Sequence, residues 1–291
     1  MIREVELALG TAQFGMAYGV SGRDGPVPMR EVREILECAW NCGIRMLDTA
    51  PAYGDIEERL SGYLGERAFH VISKIPALPA QSTAAEATGI VERSIHASRS
   101  RLGSNFGTVL FHRGADLLER HGDEIWRAAS DEAARAGVRL GVSCYEPAEA
   151  IAIRERFPVA VAQLPGNALD QRLLLNGAGD RLAEVEVHLR SVFLQGLLLL
   201  PKATAAARVP SAAQPLAAWT AWLSERGIDA LHGALGIAKA LPGVRYCVVG
   251  VDCRSQLEEI AAAWQNSAPL AAAVSTDDLD VIDPRRWAIG K

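Results

Sequence analysis

The stretch Leu47–Gly54, LDTAPAYG, sets an aspartate and a tyrosine five residues apart directly behind an apolar run. The residues before it, GIRML, read as a buried strand, and DIEERLSGYL after it has helical spacing. Asp48 therefore falls where a strand ends, and Tyr53 lies in the loop that leads into a helix. An α/β protein keeps its chemistry in such loops.

The same alternation repeats in both directions. VELALGTA, IRMLDTA, FHVISKI, FGTVLFHR, VRLGVSCY, VAVAQLPGN, VEVHLRSVF and VRYCVVGV all read as strands, and each is followed by a helical segment. These strands barely alternate between apolar and polar residues, as expected where both faces are buried. Ser82 or Thr83 is a suitable N-cap for the long helix after the third strand, and Gly43 stops the helix before the second. Eight such units predict a single (β/α)8 TIM barrel domain over residues 1–291. An open doubly wound sheet is the alternative, but it would carry a G-x-G-x-x-G turn after its first strand. The turn here is LGTAQFG. The Ala/Pro-rich KATAAARVPSAAQP (202–215) reads as one long loop after the seventh strand.

Composition narrows the function. With 49% hydrophobic and 22% charged residues the chain supports a large core. A net charge of −5 without a basic run argues against a nucleic-acid surface. No apolar run is long enough for a membrane span. The five cysteines are irregularly spaced and odd in number, which predicts free thiols and a cytoplasmic location rather than a disulfide framework. No metal set is evident.

In a barrel the active site gathers at the C-terminal ends of the strands. Those ends carry Asp48, Lys74, His112, Ser143 and Gln163, with Tyr53 from the second loop. Each alone has an ordinary structural explanation, but together they suit proton transfer to a carbonyl oxygen. A lysine beside a phenol lowers its pKa, an aspartate holds the lysine, and a histidine orients the substrate oxygen. The electrons would then come from a cofactor.

With these residues in place, the chain resembles the aldo-keto reductase superfamily from LALGTAQFG to QLEEIAAAW. DTAPAYG, ISK and LFH match that family's catalytic Asp, Tyr, Lys and His in order and spacing. The resemblance implies NAD(P)H-dependent reduction of a small aldehyde or ketone. Tyr53 is then the general acid, Lys74 lowers its pKa, Asp48 pairs with Lys74, and His112 orients the carbonyl. It implies NADPH, with NADH as the alternative, extended across the barrel mouth. Ser143 and Gln163 match residues that hold the carboxamide. Gly10, Thr11, Ala12 and Gly250 fall at cofactor-facing strand ends. Gly196 and Leu197 fall in the loop over the pyrophosphate, with Lys202 beyond it. Asp252, Arg254 and Gln256 fall in the segment that meets the adenosine ribose.

Some positions depart from the family pattern. Cys144 replaces an asparagine, and Arg190 stands where an aromatic residue stacks on the nicotinamide. Arg254 is the only cation in GVDCRSQLEEI. Met16, Tyr18, Trp126 and Arg285–Trp287 are candidates for the substrate pocket. Two other functions fit parts of the pattern: a cofactor-sensing regulatory subunit of the same fold, and a Schiff-base aldolase using Lys74.

Overall fold

Eight parallel strands close on themselves in the order in which they occur in the chain, with the first paired to the last. The computed structural model describes residues 4–19, 25–65, 67–271 and 274–287. The strands are β1 Glu6–Gly10, β2 Met46–Asp48, β3 His70–Ile75, β4 Phe106–Phe111, β5 Arg139–Ser143, β6 Val161–Pro165, β7 Glu186–Arg190 and β8 Val244–Gly250. The helices before β5 are α1 Ala12–Gly15, α2 Met29–Asn41, α3 Ile56–Leu64, α4 Ala84–Leu102 and α5 Gly122–Ala136. Those after it are α6 Pro147–Arg156, α7 Ala178–Arg181, α8 Lys202–Arg208, α9 Ala213–Arg226, α10 Ala230–Ala240, α11 Arg254–Asn266 and α12 Leu279–Ile282. The closed barrel predicted from the alternating segments is the observed architecture.

Two apolar regions result. Ala8, Met46, Ile72, Leu110 and Val161 pack together inside the barrel, while their strand neighbours face the helices. That division follows from the two-residue period of a strand. Gly141 belongs to the interior layer, where an added Cβ would lie 2.8 Å from a Leu110 methyl and closer still to the Val161 carbonyl. The strand starts carry a polar cluster instead. Glu186 pairs with Arg139 at 2.9 Å and with the wholly buried His188 at 2.8 Å, and His70 bonds Thr108. In this fold that end contributes stability.

Local signals behave mostly as read. Thr83 caps α4, and its hydroxyl and backbone are reciprocated by Glu86. Gly43 leaves α2 with φ of 81°. The segment predicted as one long loop after β7 is different: α8, a short turn at Pro210–Ala212 and the start of α9 occupy it. Alanine favours helix strongly, and Ala205 and Ala212 are fully buried, so packing adds to propensity there. The proline marks the break between the helices rather than a loop.

Strand register sets the level of the site. Gly10 aligns with both Asp48 and Gly250, and Ser143 aligns with Gln163. The predicted strand-end residues therefore share one rim.

Candidate active site

β2 ends at Asp48, and the chain turns through a single 3-10 turn, Pro51–Tyr53, before α3 begins. Proline opens that turn, and Gly54 closes it at φ 77°, a conformation that disfavours any side chain. The Tyr53 backbone lies so close to α1 that a Cβ on Gly15 would sit 1.6 Å from the Tyr53 carbonyl oxygen. On the other side, Glu57 of α3 is buried and accepts hydrogen bonds from Ser73, Ser98 and Arg101. Tyr53 is thus held between a strand end, a tight backbone contact and an anchored helix.

Below it lies an ion pair. The Lys74 ammonium donates to both Asp48 carboxylate oxygens, at 2.9 and 2.8 Å, and to the Thr49 carbonyl at 2.9 Å. Lys74 is 1% exposed and Asp48 5%. Asp48 Oδ1 also accepts from Gln163 Nε2 at 2.7 Å, which links β6 to β2 across the mouth. The Lys74 nitrogen stands 5.4 Å from the centre of the Tyr53 ring, and the His112 ring meets that ring edge-on at 6.1 Å. Lys74 is buried and has a donor contact on each side, so it is not placed to attack a carbonyl carbon.

Electrostatics differ from the expectation in one respect. Burial, and then the Asp48 charge, push the Tyr53 phenol well above its ordinary pKa, while Arg190 pulls it down. Tyr53 is accordingly a firmly protonated donor. His112 is pulled down to about 4, first by burial and then by Lys74. It is neutral at pH 7.

From Asp48 and Tyr53 a cleft of about 570 Å³ runs over the ends of β7 and β8 to α11. It brings together Gly10, Thr11, Ala12, Gln163, Arg190, Gly196, Gly250, Asp252 and Gln256. Six other predicted site residues do not line it. Lys74 lies beneath Asp48, and Ser143 and Leu197 are buried. Lys202 is exposed at the start of α8, and the Arg254 side chain is paired with Glu258 at 2.8 Å. His112 borders Tyr53 from the β4 side.

The wall from Ser191 to Gly196 is conformationally unusual. Ser191, Leu194 and Gln195 all adopt left-handed φ, at 61°, 49° and 54°. Such residues cost roughly 1–3 kcal/mol each and mark functional loops. Asn167 Nδ2, buried after β6, holds this wall by donating to the Ser191 carbonyl at 3.2 Å. Arg190 enters the cleft from the end of β7. Its guanidinium donates to the Cys144 carbonyl at 3.1 Å and stacks on Tyr145, whose ring also meets Arg285.

Of the substrate-pocket candidates, Tyr18 lines the cleft and Arg285 reaches the Arg190–Tyr145 stack. Trp126 does not: it is a core residue stacked between Phe111 and Phe157. Gln13, Asp229 and Glu259 line the cleft without having been singled out. Glu259 had a usable signal, because it lies three residues beyond Gln256 on the same helix face. Among the described residues no cluster of three or more His, Cys, Asp or Glu is arranged to hold a metal ion. No described helix is long and apolar enough to cross a membrane.

The family model of the Aldo/keto reductase family matches residues 6–275. No curated protein matches the chain in sequence. Among solved structures it is similar to a Pseudomonas aeruginosa protein assigned to the aldo-keto reductases, at 23% identity and a TM-score of 0.63. That match covers 90% of this chain and 89% of the other. The glycerol dehydrogenase from Gluconobacter oxydans is similar at 19% identity and a TM-score of 0.64, covering 92% and 93%. Identities this low carry the fold alone.

Proposed function

The chain belongs to the Aldo/keto reductase family, and we propose that it reduces a small aldehyde or ketone to the alcohol with Tyr53 as general acid. One observation supports this above the others: the buried Asp48–Lys74 pair lies under Tyr53, with His112 against the ring, beside a cleft of about 570 Å³. A nicotinamide dinucleotide suits the lining of the remainder of that cleft. When bound, it supplies the hydride that the side chains lack. The strained wall from Ser191 to Gly196 is suited to run beside its phosphates.

The protein's own residues carry the proton side of the reaction. A substrate carbonyl at this end accepts from the Tyr53 hydroxyl, and neutral His112 orients the same oxygen. As hydride adds to the carbon, the C=O π electrons move to oxygen and the Tyr53 proton follows. The alcohol leaves, and Tyr53 regains a proton from solvent. The Lys74 ammonium, locked by Asp48 and the Thr49 carbonyl, stabilises the phenolate that exists for that interval.

The test is to follow consumption of reduced nicotinamide cofactor against a panel of aldehydes and ketones. Saturable, carbonyl-dependent turnover is expected. Cofactor binding without turnover of any carbonyl would instead favour a sensing role.

A further inference from the structure

We propose that the carbonyl compound reduced at this site carries a carboxylate, and that Arg190 is the side chain that selects it. This rests on the function proposed above and names the substrate class of that site. Arg190 is the only cation among the described residues that line the cleft. Its guanidinium touches neutral groups: the Cys144 carbonyl at 3.1 Å, the Ser191 hydroxyl at 3.5 Å and the Tyr145 ring, 4.4 Å from its centre.

The acids around it are already engaged. Asp48 is held by Lys74 at 2.8 Å. Asp283 accepts from the Arg285 guanidinium through both carboxylate oxygens. Glu149 accepts from the Tyr145 backbone N–H at 3.4 Å. Arg285 lies 3.3 Å from the centre of the same Tyr145 ring. Two guanidinium groups therefore meet one ring, and of the two only Arg285 has a carboxylate of its own among the described residues. The ring attracts both cations and fixes how Arg190 lies. A guanidinium has five N–H donors, and the Cys144 carbonyl and Ser191 hydroxyl take one each from Arg190. The other donors, and the charge, remain for a ligand.

Arg190 also stands at the reacting end. Burial raises the Tyr53 and Tyr18 phenols and lowers the His112 imidazole, and on all three Arg190 adds a downward pull. Its field thus covers the place where a carbonyl oxygen meets Tyr53. A neutral substrate laid over this cation would strip it of water and return nothing, which is costly. A carboxylate restores the charge balance and accepts paired N–H bonds from the planar guanidinium. One uncompensated positive charge matches a monoanion, and a phosphate dianion would exceed it. The carboxylate also orients the reaction: an anchor on Arg190 and a hydrogen bond to Tyr53 fix both ends of a short molecule.

The experiment is steady-state reduction of matched aldehydes that differ in charge. Glyoxylate, succinic semialdehyde and para-carboxybenzaldehyde are each compared with the methyl ester, and glycolaldehyde phosphate with glycolaldehyde. The parent, Arg190→Gln and Arg190→Lys are assayed at saturating cofactor. For the parent, kcat/KM should favour at least one carboxylate over its ester by about tenfold or more at low salt. That preference should shrink as salt rises. Arg190→Gln should bring the ratio to within about twofold of unity, and Arg190→Lys should restore part of it. Taking the ratio within each variant cancels any change in cofactor binding. A parent that treats every acid and ester alike overturns the proposal and leaves the reductase function standing. So does a carboxylate preference that survives Arg190→Gln, or a preference for the phosphate over every carboxylate. Reduction of no carbonyl at all would overturn both.

Discussion

Replacing Lys74 by methionine tests whether the ion pair under Tyr53 is as tightly coupled as its geometry implies. Methionine preserves an unbranched side chain but removes three contacts, two to Asp48 and one to the Thr49 carbonyl. Asp48 then keeps only the Gln163 amide. It is 5% exposed and opens only onto the cleft, so water replaces little of the lost ammonium. Stranding a buried charge costs about 3–5 kcal/mol. At roughly 2–4 °C per kcal/mol for chains of this size, the melting temperature should fall by ~6–20 °C at pH 7. Adding Asp48→Asn to the variant removes the charge and should restore at least half of the loss, while activity stays absent. Urea unfolding of the parent, both single variants and the double variant closes the cycle, with an expected non-additivity of about 2 kcal/mol or more. Strictly additive effects, or a Lys74→Met variant melting within about 2 °C of the parent, would refute the coupling.

Tyr53→Phe should lower carbonyl reduction by ~10²–10⁴-fold while cofactor dissociation constants stay within about twofold; turnover near the parent rate would reassign the acid. His112 is held near 4 against an ordinary 6.5, so the unfolded chain takes up its proton first as pH falls. Its contribution to stability is full above pH 6.5 and is lost between there and about 4, by at most ~3 kcal/mol. His112→Gln should flatten the pH dependence of the urea midpoint across that window, and an unchanged slope would show that His112 titrates normally. On the proposed function, Arg190, which lines the cleft, would stand beside the nicotinamide and oppose the positive ring of the oxidised cofactor. Arg190→Gln should tighten the oxidised form about tenfold relative to the reduced form, read by competitive titration; an unchanged ratio would place the guanidinium elsewhere.

Asp48, Tyr53, Lys74 and His112 were legible because each stands at a recognisable chain position, a strand end or the loop behind one. The barrel followed from the repeat of buried strands with helices between them. What escaped depended on direction rather than position. Trp126 reads as a pocket aromatic until α5 is docked, when it turns inward to stack on Phe111 and Phe157. Arg254 lies at the expected place in the chain, but the phase of α11 sends its charge to Glu258.

The contact between Gly15 and the Tyr53 carbonyl has a bearing on how this protein could vary. It joins the loops after β1 and β2 into one mechanical piece, so the position of Tyr53 is set partly by the segment from Thr11 to Gly15. Residues beyond Met16 could lengthen or shorten without moving Tyr53. A side chain at position 15, or one residue inserted between Thr11 and Gly15, would push the phenol off its ion pair. In a set of descendants of this chain, length changes should therefore gather after that glycine, and the five residues before them should keep their count.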